Sequence, residues 1–77
     1  MLAEKMTLSQ AFNNVIRDCK DPYAREYAKA AMQVASAFGT EGLRTQILYV
    51  LSNTAHWRGP LAKETKATFK EYLKKTK

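Results

Sequence analysis

Leu8, Ala11, Phe12, Val15, Ile16 and Cys19 recur at intervals of three and four, with Ser9, Asn13, Asn14, Arg17 and Asp18 set between them. This is a single apolar stripe on a helical repeat, and it predicts an amphipathic helix from about Leu8 to Lys20. Thr7 and Gln10 have the spacing of a capping box at its start. Asp21-Pro22 then ends one helix and begins another, because proline disfavours helical geometry at the residue before it and suits the first position of a new helix. The second helix runs to about Phe38. It carries Ala24, Ala28, Ala30, Ala31, Ala35 and Ala37, with Tyr23, Tyr27, Met32, Val34 and Phe38 at its edges. Gly39 fits a left-handed C-cap and Thr40 an N-cap for the third helix, about Glu41 to Asn53. Leu43, Ile47, Val50 and Leu51 form the inner face of that helix, with Leu48 beside them. After a polar stretch from Ser52 to Gly59, Pro60 opens a fourth helix that reaches the C-terminus. Leu61, Thr65, Phe69, Tyr72 and Leu73 are its expected inner face.

No strand pattern competes with these helices. The expected fold is all-α, a compact bundle of four short helices in one domain over residues 1–77. With 45% hydrophobic residues the chain has enough apolar surface for one small core. One cysteine and one histidine form neither an internal disulfide nor a closed Cys/His zinc site, so no metal and no cofactor is expected. The longest aliphatic or aromatic run, Ile47 to Leu51, is too short to span a bilayer. The opening MLAEKMTLSQ lacks a signal-peptide core. These features read as a soluble cytoplasmic protein with no membrane partner.

Charge changes the picture more than composition does. The net charge is +6. Residues 1–57 carry six Lys/Arg against five Asp/Glu, whereas residues 58–77 carry seven against two. Lys63, Lys66, Lys70, Lys74 and Lys77 are spaced by three or four and share one side of the last helix. Lys66–Lys70 and Lys70–Lys74 are like-charge pairs at spacing four, each unfavourable by roughly 0.2–0.5 kcal/mol. Attraction to the carboxyl end of the helix dipole accounts for Lys74 and Lys77, but not for Lys63 or Lys66. An anionic partner would relieve the repulsion; a solvated face that keeps a small protein in solution is the plainer alternative.

Other features are less specific. Ala35 and Gly39 have the spacing of a helix-turn-helix, but Thr40 and Thr45 fall where that motif places aliphatic residues, and the third helix is too apolar to lie in a groove. His56-Trp57-Arg58 interrupts a polar turn. Trp57 and Arg58 suit a binding surface, and Trp57 equally suits a cover over the end of the core. Cys19 lies on an apolar stripe and reads as a buried small hydrophobe. Gln10, Asn13 and Asn14 form an uncharged strip expected to face solvent. The acidic residues Glu4, Asp18, Asp21, Glu26, Glu41, Glu64 and Glu71 are scattered, with no pair set for acid–base work. The three glycines lie near helix ends and form no phosphate-cradling loop. An enzyme is not expected.

The segment LRTQILYVLSNTAHWRG, followed by a basic helix, resembles small helical orphan proteins of tailed phages and prophages. The likeness covers residues 43–73 best, and MTLSQAFNNVI less closely. Such proteins have no diagnostic motif, so no functional residue carries over. The resemblance implies an accessory protein expressed in the host cytoplasm during infection, acting on a host or defence factor. The expected function is therefore macromolecular binding through Lys63, Lys66, Lys70, Lys74 and Lys77, assisted by Arg58 and Trp57. An acidic protein surface is the favoured partner. Nonspecific or weakly specific DNA binding through the same face is the alternative, and a homo-oligomer built on the small-residue face of the second helix is a third reading.

Overall fold

Thr7 has the extended backbone of a helix cap, and its hydroxyl accepts from the Gln10 N–H at 3.1 Å. The Gln10 side chain returns the bond, Oε1 accepting from the Thr7 N–H at 2.9 Å. This reciprocal pair satisfies two donors that the first helical turn cannot. From it, α1 runs Leu8–Asp18. The computed structural model describes residues 6–76, and of residues 34–38 the backbone alone. The expectations for Glu4, Lys77 and the side chains of Val34, Ala35, Ala37 and Phe38 fall outside the described residues.

The α1 stripe is inward as predicted. Ala11, Phe12, Val15 and Cys19 are buried, with Leu8 and Ile16 packed half-buried against them. Asp21 then caps the next helix. Its Oδ1 accepts from the N–H groups of Tyr23 and Ala24 at 2.9 and 3.0 Å, and Pro22 takes the first helical position. The helical run Pro22–Ser52 is interrupted once, at Gly39 (φ 66°, ψ −155°). It therefore comprises two helices, residues 22–38 (α2) and 40–52 (α3). With α4, Pro60–Lys75, they make an all-α bundle of four helices, with no strand among the described residues.

The junction differs from the expected one. A left-handed cap needs ψ near about +47°, whereas Gly39 is close to the mirror image of an extended residue. One residue thus redirects the chain with no loop, and Thr40 already has helical angles, so it is not the cap. A single-residue break also lacks the three- to four-residue turn typical of helix-turn-helix motifs. The inner face of α3 is Leu43, Ile47 and Val50, all buried, with Leu51 half-buried. Leu48 is 51% exposed and does not join them.

α1 packs against both the Pro22–Ser52 run and α4. Ala24, Ala28 and Ala31 are fully buried, so the described small-residue face of α2 is already covered by the chain itself. Phe12 and Phe69 meet with ring centroids 5.0 Å apart and planes tilted by 42°, joining α1 to α4. Asn14, expected in solvent, is half-buried; its Nδ2 donates to Thr65 Oγ1 at 3.2 Å. Thr65 is fully buried, and this bond gives its hydroxyl oxygen a donor.

Arg44 makes a second contact between distant elements. It is half-buried, and its Nη1 donates to the Leu73 carbonyl and to Thr76 Oγ1. A cation thus closes the carboxyl end of α4, where unpaired carbonyls and the dipole favour one. Arg44→Ala is expected to lower stability to urea by about 1–3 kcal/mol, the range for charged hydrogen bonds. Amide exchange in the last turn of α4 should accelerate with it. A loss below about 0.5 kcal/mol, typical of an ordinary surface change, would show that the guanidinium does not hold this end.

Candidate functional site

The underside of α4 is Ala62, Thr65 and Phe69, all buried, with Tyr72 and Leu73 half-buried behind them. The first inward position is Ala62; Leu61, expected there, is 40% exposed. Trp57 fills that end of the core, and the inward position takes a methyl group. With this face anchored, Lys63, Lys70 and Lys74 stand exposed along one flank of the helix. Lys63 to Lys74 covers about 16 Å of helix axis.

Lys66 behaves differently from its neighbours. It is half-buried, and its Nζ donates to the Trp57 carbonyl at 2.6 Å. The ammonium ties the 57–60 turn to the side of α4. This gives a structural reason for a cation near the amino end of a helix, where the dipole disfavours one. The sequence offered no such reason.

Trp57 is 7% exposed, and its Nε1–H donates to Asp18 Oδ2 at 2.7 Å. The ring covers the end of the core, and its polar edge is already engaged. Thr54, 1% exposed, supports the same turn: its hydroxyl donates to the Leu51 carbonyl, and its own carbonyl accepts from the Trp57 N–H. Gly59 (φ 114°) begins α4 without a side-chain cap, and Pro60 follows at the first helical position.

The turn and the helix border a shallow, open groove of about 810 Å³. Arg58, Lys63, Lys66 and Lys70 supply its charge; Trp57, Gly59, Pro60 and Ala67 line the rest. No family model, curated protein or solved structure matches the chain. The groove's own chemistry is therefore what bears on function. It brings Arg58 together with three of the four described lysines of the row, while Lys74 lies beyond it along the helix.

Carboxylates border this cationic strip along one side and at its turn end. Glu64 and Glu71 lie with Met6, Ala67 and Thr68 around a shallow depression on one flank. At the Arg58 end, Asp18 and Asp21 line a cleft of about 410 Å³ together with Cys19, Lys20, Asn53, His56, Trp57 and Arg58. That cleft holds the cysteine and the histidine, but Cys19 is 4% exposed, and no hydrogen bond joins it to His56 among the described residues. Among the described residues, no group of three His, Cys, Asp or Glu side chains is placed to hold a metal ion, and no helix is long and apolar enough to cross a membrane.

Proposed function

We propose that this chain is a non-enzymatic accessory protein of phage type that binds an acidic protein surface through α4. The observation that carries this reading is the basic groove backed by a helix whose underside is anchored by the buried Ala62, Thr65 and Phe69. Lys63, Lys70 and Lys74 repel one another along an exposed face of the helix that the buried Phe69 anchors to the core. Fixed like charges are unfavourable in the free protein and become favourable against carboxylates.

The shape of the charge favours protein over duplex DNA. A strip bounded by Glu64 and Glu71 along one side and by Asp18 and Asp21 at its Arg58 end presents a confined positive field. A duplex offers phosphates on two strands and would bring some of them against those carboxylates. Base stacking is not supported either, because Trp57 is buried and bonded to Asp18. Arg44, the one cation of α3, is occupied at the end of α4.

Lys63→Glu combined with Lys70→Glu is the decisive variant. It spares Lys66, which holds the turn. The first substitution puts a carboxylate near the amino end of α4, where the dipole favours an anion. The second puts one at spacing four from both Lys66 and Lys74, turning two like-charge pairs into opposite-charge pairs. The variant is thus expected to be at least as stable as the parent protein. In capture from nuclease-treated bacterial lysate, acidic proteins should be enriched by the parent and lost with the variant; equal recoveries would discredit this face. Anisotropy with a labelled duplex separates the alternative. DNA binding through about four phosphates would give a log–log salt slope near −3.6, and no binding at micromolar protein removes it.

A further inference from the structure

Charge alone does not account for the groove. Its rim is cationic, but between the cations lie Pro60, Gly59, Ala67 and the edge of Trp57, none of which offers a free polar side-chain atom. Lys66 adds to this lining: with its ammonium drawn back to the Trp57 carbonyl, its aliphatic stem lies along the groove rather than reaching into solvent. Ala67 is exposed on the outer side of α4 and leaves a recess between Lys63 and Lys70, where a longer side chain would fill it. A purely electrostatic footprint needs no such floor. An apolar seat ringed by positive charge complements a segment with the opposite design, an apolar side chain flanked by carboxylates.

We propose that the groove takes an acidic peptide segment carrying one apolar anchor, the anchor seated over Pro60 and Ala67 and the flanking carboxylates on Arg58, Lys63 and Lys70. This rests on the acidic-partner reading above and specifies how that partner is recognised. The anchor supplies selectivity among acidic proteins, because carboxylates alone meet the cations of any basic surface. The cations supply orientation and encounter rate.

Two fluorescently labelled peptides of aspartate and glutamate test this by anisotropy at about 0.15 M salt, where exposed charges are screened beyond about 8 Å. One carries a single central leucine, and the other has serine in its place. The leucine peptide is expected to bind about five- to twentyfold more tightly, the gain from partly burying one such side chain. Ala67→Gln keeps every charge, suits a helix and puts an amide into the seat. It should reduce the leucine peptide to the level of the serine peptide and leave the latter unchanged. The Lys63→Glu, Lys70→Glu variant should weaken both.

Equal binding of the two peptides to the parent protein would overturn the anchor and leave the charge reading intact. So would a leucine preference that survives Ala67→Gln. Failure of both peptides to bind overturns the proposal as well, whereas the acidic-partner reading stands or falls on the lysate comparison.

Discussion

Phe69→Ala is expected to remove a large share of the stability of this protein. The ring is fully buried and packs on Phe12 across the α1–α4 contact. Truncating such a side chain typically costs about 3–5 kcal/mol through lost transfer energy and the cavity left behind. A chain of 77 residues has only about 4–12 kcal/mol in total. The melting temperature should fall by more than about 12 °C in a circular-dichroism melt. Phe69→Leu, which keeps most of the volume, should cost less than about 1.5 kcal/mol. The functional consequence follows from position. Ala62, Thr65 and Phe69 are the buried face that holds α4 in place, so loosening Phe69 lets the lysines move independently. Any anion affinity that depends on their fixed arrangement should fall in parallel with stability. A loss under about 1 kcal/mol, the centre of the range for unselected point mutations, would show that α4 is held by something other than this aromatic contact.

Gly39→Ala is the second large effect, and it acts through the backbone alone. A Cβ at this position would meet nothing within 4 Å, so there is no clash to relieve. The angles φ 66° and ψ −155° nevertheless lie in a region essentially reserved for glycine, where other L-residues are strained by about 1–3 kcal/mol. An L-alanine should cost that much in urea unfolding. A D-alanine, introduced by chemical synthesis, should do the reverse. For a D-residue these angles are the mirror of relaxed extended backbone, and restricting the unfolded chain then stabilises by about 0.4–1 kcal/mol. Opposite signs for the two enantiomers would establish that the α2–α3 junction is set by chirality at one residue. A neutral L-alanine would mean that the junction takes another geometry in solution.

The parts of the structure legible in the sequence are those governed by residues close together along the chain. Thr7 with Gln10 and Asp21 with Tyr23 and Ala24 are bonds across two or three residues, and their residue types announce them. The α1 stripe and the shared side of Lys63, Lys70 and Lys74 follow from helical spacing. The contacts that reassign individual side chains were not legible. Asn14 reaches Thr65, Trp57 reaches Asp18 and Arg44 reaches Leu73 across 51, 39 and 29 residues. No local pattern distinguishes Asn14 from the exposed Asn13 beside it, or Arg44 from a solvent-facing arginine. Lys66 looked like one more member of a solvated row until the path of the turn brought the Trp57 carbonyl within 2.6 Å of its ammonium. Leu48 and Leu61 show the same limit, since each lies at the edge of an apolar stripe and only the neighbouring helices decide which edge is covered.

By itself, then, the amino-acid order determined the helices, the starts of three of them and the concentration of positive charge on the last, because caps, periodicity and charge spacing act within a few turns. Tertiary structure alone decided which of those charges are free, which one is spent closing a turn, and that an apolar recess lies between them. Those outcomes depend on how the 57–60 turn folds back against α4, and that is settled by packing among residues distant in the chain.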